Sequence, residues 1–180
     1  MDTLDLLLHP IRLRIVHAMS GDRTRTTADL CARLRDVPKT TVYRHVGLLA
    51  DAGVLEVADE QRVHGAVERH YRLHRERPVI DADTAASMTL DDHRRGFAAA
   101  MAALLAEFNT YLDTDGADPA ADSVGYRQGT VWLSPRERAE LIEAILGVLA
   151  GRARNEPAPG RSPHLMSLIF FPTEQPDRPS

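Results

Sequence analysis

A break between two helical patterns constrains this chain most. "TTADLCARL", residues 26–34, and "KTTVYRHVGLLADAG", residues 39–53, each repeat apolar side chains at helical spacing, and Asp36-Val37-Pro38 lies between them. Pro38 disfavours helical backbone at Val37 and fits the first turn of whatever helix follows. One continuous helix is therefore excluded. The first segment opens on Thr26 with Asp29 three residues on, a capping-box pattern, and shows Ala28, Leu30, Cys31 and Leu34 on one face. Gly53 stops the second segment.

The flanks extend this pattern. "PIRLRIVHAM" predicts a helix over 10–19 with Pro10 in its first turn, a short helix before it, and Ser20-Gly21-Asp22 closing it. Downstream, two strands are expected at about 54–59 and 67–73, the second placing Val67, Tyr71 and Leu73 on one face. Between them "EQRVHG" is a polar tip. The order helix, helix, tight turn, helix, hairpin is that of a winged helix-turn-helix.

The helix after Pro38 begins with polar and aromatic side chains that a core does not need. In a helix-turn-helix, the second helix puts its N-terminal residues at base edges in the major groove. Lys39, Thr40, Thr41, Tyr43, Arg44 and His45 are the candidate DNA contacts, with His45 open to a phosphate hydrogen bond or to packing at the helix edge instead. At the hairpin tip, Arg62 and His64 are candidates for phosphate or minor-groove contact. Val42, Val46 and Leu49 are expected to hold the helix on its own core.

Charge permits this reading. The chain has net charge −4, but residues 1–76 hold 12 Lys+Arg against 11 Asp+Glu, whereas residues 77–180 hold 10 against 15. Six of the 8 His lie in the first part, which becomes more positive as they protonate. No apolar run approaches the ~18 residues that span a bilayer. The acids of "MDTLDLLLHPIRLR" precede its short apolar run, the wrong order for a secretory signal, so a cytoplasmic protein with no membrane partner is expected. A single cysteine, Cys31, allows no intrachain disulfide.

The second half reads differently. A linker is expected at about 74–87, then a helix from Thr89-Leu90-Asp91-Asp92 to about residue 112. Its stripe of Phe97, Met101, Leu104, Phe108 and Leu112 among alanines suits either an intrachain core or a dimer contact. "VGYRQGTVWL", 124–133, and "HLMSLIFF", 164–171, are expected strands flanking a helix that Ser134, Pro135 and Glu137 open and Gly151 closes. The tail "PTEQPDRPS" is expected to be disordered. The fold class is thus α+β, mainly helical: a winged head over 1–76, and over 77–180 a long helix plus a strand-helix-strand region for dimerisation and effector binding.

Residues 8 to 75 resemble the ArsR-like winged helix-turn-helix regulators. "HPIRLRIVHAM", "TADLCARL", "TTVYRHVGLLADAGVL" and "GAVERHYRL" carry the resemblance, above all Thr41-x-x-Arg44-His45-Val46-x-x-Leu49. It implies a homodimeric regulator, and the second half resembles, more loosely, a region that implies dimerisation or ligand sensing in some members. The family's metal sensors carry cysteine-rich motifs, or an Asp-x-His…His-x-x-Glu set on a dimer helix. Here Cys31 stands alone, and Asp91-Asp92-His93 is followed eleven residues on by Leu104. No metal site and no cofactor are expected. Nor does the chain contain a glycine-rich phosphate loop, a nucleophile elbow or HExxH, so no enzyme is expected.

The function expected from the sequence is a transcriptional repressor that binds an inverted-repeat operator in double-stranded DNA as a homodimer, with the stripe Phe97, Met101, Leu104 and Phe108 as the first candidate for the dimer contact and the second-half strands as the other. Two alternatives stand beside it. One is a winged-helix module for protein–protein assembly. The other is a regulator sensing a small-molecule effector in the second half.

Overall fold

The protein is seen here in a computed structural model that describes residues 6, 8–21, 23–63, 66–74, 86–153 and 155–173. His64, most of the expected linker and most of the expected disordered tail lie outside the described residues. The described residues form five helices and one three-stranded antiparallel sheet, an α+β architecture. The elements are α1 (Pro10–Met19), β1 (Arg25–Thr26), α2 (Thr27–Arg33), α3 (Lys39–Asp51), β2 (Leu55–Val63), β3 (Ala66–Leu73), α4 (Leu90–Leu112) and α5 (Pro135–Ala153).

Local chemistry sets the helix ends. Thr26 accepts from the Asp29 amide and the Asp29 carboxylate accepts from the Thr26 amide, satisfying two amides that α2 leaves unpaired. Thr89 and Asp92 repeat this at α4, and Ser134 and Glu137 at α5. Helix α3 ends in a Schellman motif. Gly53 sits at φ +70°, its amide donates to the Ala50 carbonyl, and the Val54 amide donates to that of Leu49. Val54 and Leu49 are both buried, the apolar contact that accompanies such an ending.

One core joins the first three helices to the sheet. Ile15 and Met19 of α1, Leu30 of α2, Val42, Val46 and Leu49 of α3, and Leu55 and Tyr71 of the hairpin are all buried in it. Cys31 packs against this core as a half-buried free thiol.

The sheet order is β1-β3-β2. β1 is a strand the sequence did not announce, since two residues show no alternation. It pairs Arg25 with Tyr71 and Thr26 with His70, and so ties the start of α2 to the hairpin. The hairpin runs further than its apolar residues do. Beyond a bulge at Ala58, where the register passes from Val57–Tyr71 to Asp59–His70, the pairing continues to Val63–Ala66. This outer ribbon projects from the core and needs no buried face; Glu60 and Arg69 pair across it at 2.9 Å.

The chain divides into two compact units, Met1–Thr114 and Asp115–Ser180. The long helix thus groups with the winged head, whereas the sequence reading placed it after residue 76. Ala99 and Ala103 are its buried residues, and their small side chains let it lie close on α1. The stripe Phe97, Met101, Leu104 and Phe108 lies on a different face, centred about 150° around the helix at ~100° per residue. Met101, Leu104 and Phe108 are half-buried and Phe97 is exposed.

In the second unit α5 forms as expected, running two residues past Gly151. The strands expected at 124–133 and 164–171 do not form. Two strands make a marginal sheet even when paired. Here Gly125 and Gly129 weaken the first, and most apolar side chains of both segments, Val131, Trp132, Leu168 and Ile169 among them, are exposed, so little repays the ordering of a ladder.

Candidate nucleic-acid interface

Helix α3 has two faces of different chemistry. Val42, His45, Val46 and Leu49 point inward and are its buried residues. At ~100° per residue, Thr40, Arg44 and Gly47 share the opposite arc, with Tyr43 at its edge. Lys39, Thr40, Tyr43 and Arg44 are exposed, and Thr41 is half-buried. No acid appears on the helix until Asp51.

Gly47 belongs to this outward face and was not singled out from the sequence. A Cβ at Gly47 would meet nothing within 4 Å, so no packing inside the protein demands glycine there.

His45 is placed differently from the other candidates. It is 2% exposed, and its ring lies 4.5 Å from that of His9, the N-cap residue of α1. Its Nδ1 is buried and accepts from no described donor. Burial, then the neighbouring His9, Arg44 and Arg12, bring its pKa down to about 4, so the ring is neutral. His45 therefore packs at the buried edge of α3 against the start of α1.

An open groove of about 540 Å³ separates α3 from the hairpin. Tyr43, Val46 and Gly47 line one side, Val67 to Arg69 and Tyr71 the other, and Thr27 and Ala28 the end. Arg62 pairs with Val67 in register. Directly opposed side chains in an antiparallel pair lie on one face of the ribbon, so Arg62 rises beside the groove that Tyr43 borders. The hairpin's other cations are neutralised within the chain, Arg69 by Glu60 and Arg72 by Glu56. Lys39, Arg44 and Arg62 have no acidic partner among the described residues.

The turn ahead of α3 is anchored by an interaction the sequence did not reveal. Arg14 on α1 is 2% exposed. It donates two hydrogen bonds to the Asp36 carboxylate at 2.6 and 2.8 Å, a third to Glu107 on α4 at 3.0 Å, and one to the Thr110 hydroxyl at 3.3 Å. Arg33 of α2 reaches the second Glu107 oxygen at 3.2 Å. The fork-on-carboxylate bond holds Asp36 well below the usual carboxylate range. One buried guanidinium thus links the turn, the first helix and the long helix.

A family model for a helix-turn-helix domain matches residues 7–58. The chain carries an N-terminal helix-turn-helix domain. That domain suggests a DNA-binding regulator, and the match ends within β2, leaving the rest of the hairpin, α4 and the second unit outside it. A comparison with curated proteins finds no match. Among the described residues no three His, Cys, Asp or Glu side chains converge to hold a metal ion, and no helix is long and apolar enough to cross a membrane.

Proposed function

We propose that this chain is an ArsR-like transcriptional repressor that binds double-stranded DNA as a homodimer, at an inverted repeat. The observation that carries the reading is the outward face of α3. Its first two turns present Lys39, Thr40, Tyr43 and Arg44, with Arg62 beside the same groove, and among the described residues these cations lack the kind of acidic partner that neutralises Arg69 and Arg72. In this reading Arg44 and Tyr43 meet base edges, and Lys39 and Arg62 meet phosphates. Thr40 and Thr41 sit in the first turn of α3, where hydroxyls reach the backbone of a duplex lying along it.

The homodimer rests on α4. That helix docks on α1 through Ala99 and Ala103 and turns Phe97, Met101, Leu104 and Phe108 to another side, where a second copy can lie. Two heads held by a twofold axis meet half-sites ~10–10.5 bp apart or a multiple of that.

Duplex binding measured by anisotropy over a salt series tests the reading. Each phosphate contact contributes ~0.9 to the slope of log K against log salt. Lys39→Ala lowers affinity for specific and random DNA alike and reduces the slope by about 1. Arg44→Ala costs roughly 1–3 kcal/mol and relaxes preference at one base position. Unchanged affinity of both variants for every duplex overturns the assignment of α3.

A further inference from the structure

The hairpin carries a charge pattern that works against a duplex. Its strands hold four acids, Glu56, Asp59, Glu60 and Glu68, against three arginines, Arg62, Arg69 and Arg72. The register decides where two of these groups lie. Glu60 pairs with Arg69, and Arg62 with Val67. Residues two apart on a strand share a face, so Glu60, Arg62, Val67 and Arg69 stand on the side that carries the buried Tyr71. Val67 to Arg69 line the groove opposite Tyr43 and Gly47. Arg69 thus borders the groove assigned to DNA, yet its Nε donates to Glu60 Oε1 at 2.9 Å. That contact is easily exchanged. It is a single hydrogen bond, where the buried Arg14 makes two to Asp36. The side chains of Arg69 and Glu60 are 58% and 50% exposed, and ion pairs so wet contribute little.

We infer that Glu60 masks Arg69 as a second hairpin contact for the duplex: the carboxylate holds the guanidinium in the free protein, and a backbone phosphate takes its place in the complex. The inference rests on the DNA-binding reading above and adds two residues to it. Arg62 and Arg69 are diagonal neighbours across the ribbon, roughly 7–8 Å apart and within reach of long side chains. A phosphate met by Arg62 therefore comes within reach of Arg69. It offers the guanidinium the same pair of acceptor oxygens that a carboxylate does, with more charge around them. Glu60 cannot follow Arg69 onto the duplex. Left beside the phosphates it is repelled, so the exchange lowers affinity for every duplex. Glu60 thus weakens the attraction that carries no sequence information, and base reading by α3 keeps a larger share of binding.

The experiment measures the full chain on a mixed-sequence duplex by anisotropy over a salt series, with Glu60→Gln, Arg69→Ala and the double variant. Both side chains are half exposed, so neither change opens the core, and melting of each variant checks the fold. Arg69→Ala is expected to lower affinity and to reduce the slope of log K against log salt by ~0.9, the share of one phosphate. Glu60→Gln keeps the shape of the side chain and removes its charge, and affinity is expected to rise about two- to fivefold. In the Arg69→Ala background the same change is expected to gain much less, because the group it unmasks is gone. An affinity and slope unchanged by Arg69→Ala mean that the pair stays closed on DNA, and overturn the inference. So does an equal gain from Glu60→Gln with and without Arg69, since Glu60 then acts by its charge alone. Lys39→Ala separates this from the reading beneath it. If Lys39→Ala weakens binding and Arg69→Ala does not, only the mask fails; a wild-type chain that binds no duplex at any salt removes both.

Discussion

Helices α3 and α5 were both legible in the sequence, and the structure treats them in opposite ways. Both carry an apolar arc at helical spacing, and both have well-marked ends. Helix α3 buries Val42, Val46 and Leu49 in a core shared with α1, α2 and the hairpin, whereas α5 buries nothing. Amphipathic spacing therefore announces that a partner is needed without saying where the partner is. In the head it is supplied by α1, α2 and the hairpin of the same chain.

The largest expected effect breaks this contrast directly. Leu49 is fully buried, so Leu49→Ala removes its contacts and leaves a cavity, at a cost of about 2–5 kcal/mol. Leu146 is 55% exposed, and Leu146→Ala in dilute protein changes stability by less than about 0.5 kcal/mol. Chemical denaturation at low and high protein concentration checks both. A Leu146→Ala cost that grows with concentration places the missing partner in a second copy; equal costs at the two positions in dilute protein end the contrast.

The next effect concerns what joins the long helix to the head. The Arg14 side chain is 3% and the Glu107 side chain 8% exposed, so removing either strands the other in a dry site. Glu107→Leu leaves Arg14 its Asp36 partner, and Arg14→Met leaves Glu107 only the half-exposed Arg33, so each costs roughly 1–3 kcal/mol. The double variant is expected to cost at least about 1 kcal/mol less than the sum of the two, since it leaves neither charge unpaired. Additive costs mean that the two groups do not share one network.

Legibility followed distance along the chain. The capping pairs Thr26–Asp29, Thr89–Asp92 and Ser134–Glu137 span three residues each, and all could be read from spacing. Arg14 meets partners 22 and 93 positions away, and no local pattern marks it. β1 is too short to alternate. His45 was partly legible. A helical wheel puts it with Val42, Val46 and Leu49, but a histidine beside Arg44 at the start of a polar helix also reads as a DNA contact. The segments 124–133 and 164–171 show the reverse case, in which an apolar pattern forms no strand.

The histidines give a smaller effect confined to the head. The folded value of His45 is lowered from 6.5 to about 4, and those of His9 and His17 are lowered too, desolvation being the largest cause for all three. The unfolded chain therefore takes up protons first as pH falls. The stability these neutral rings contribute is complete above about 6.5 and is lost progressively toward about 4. Asp29 and Asp36 have lowered values, and their contribution is lost only as pH falls below about 3.8. A melting series from pH 7 to 5 thus reads the histidines. His45→Phe keeps a ring in the site and flattens the series; an unchanged slope means that His45 is not the buried group responsible.

The smallest expected effect tests whether the outward face of α3 is shaped for the protein or for something beyond it. Glycine inside a helix costs about 0.5–1 kcal/mol relative to alanine, because it has more backbone freedom to lose on folding. Gly47 lies within α3, its conformation is helical, and an added Cβ meets nothing within 4 Å. Gly47→Ala is therefore expected to stabilise the head by up to about 1 kcal/mol, read as a higher denaturation midpoint. The packing of this chain does not explain why glycine stands there. It lies one turn beyond Tyr43 and Arg44, on the arc they share with Thr40, where its missing side chain lets a duplex approach the helix backbone. Under that reading, alanine lowers duplex affinity severalfold while raising stability, and Gly47→Gln lowers affinity further. The two measurements then move in opposite directions, which no folding defect can mimic. If both variants bind every duplex as the wild type does, the groove beside Gly47 is not where DNA sits, and the contact lies closer to Lys39 and the first turn.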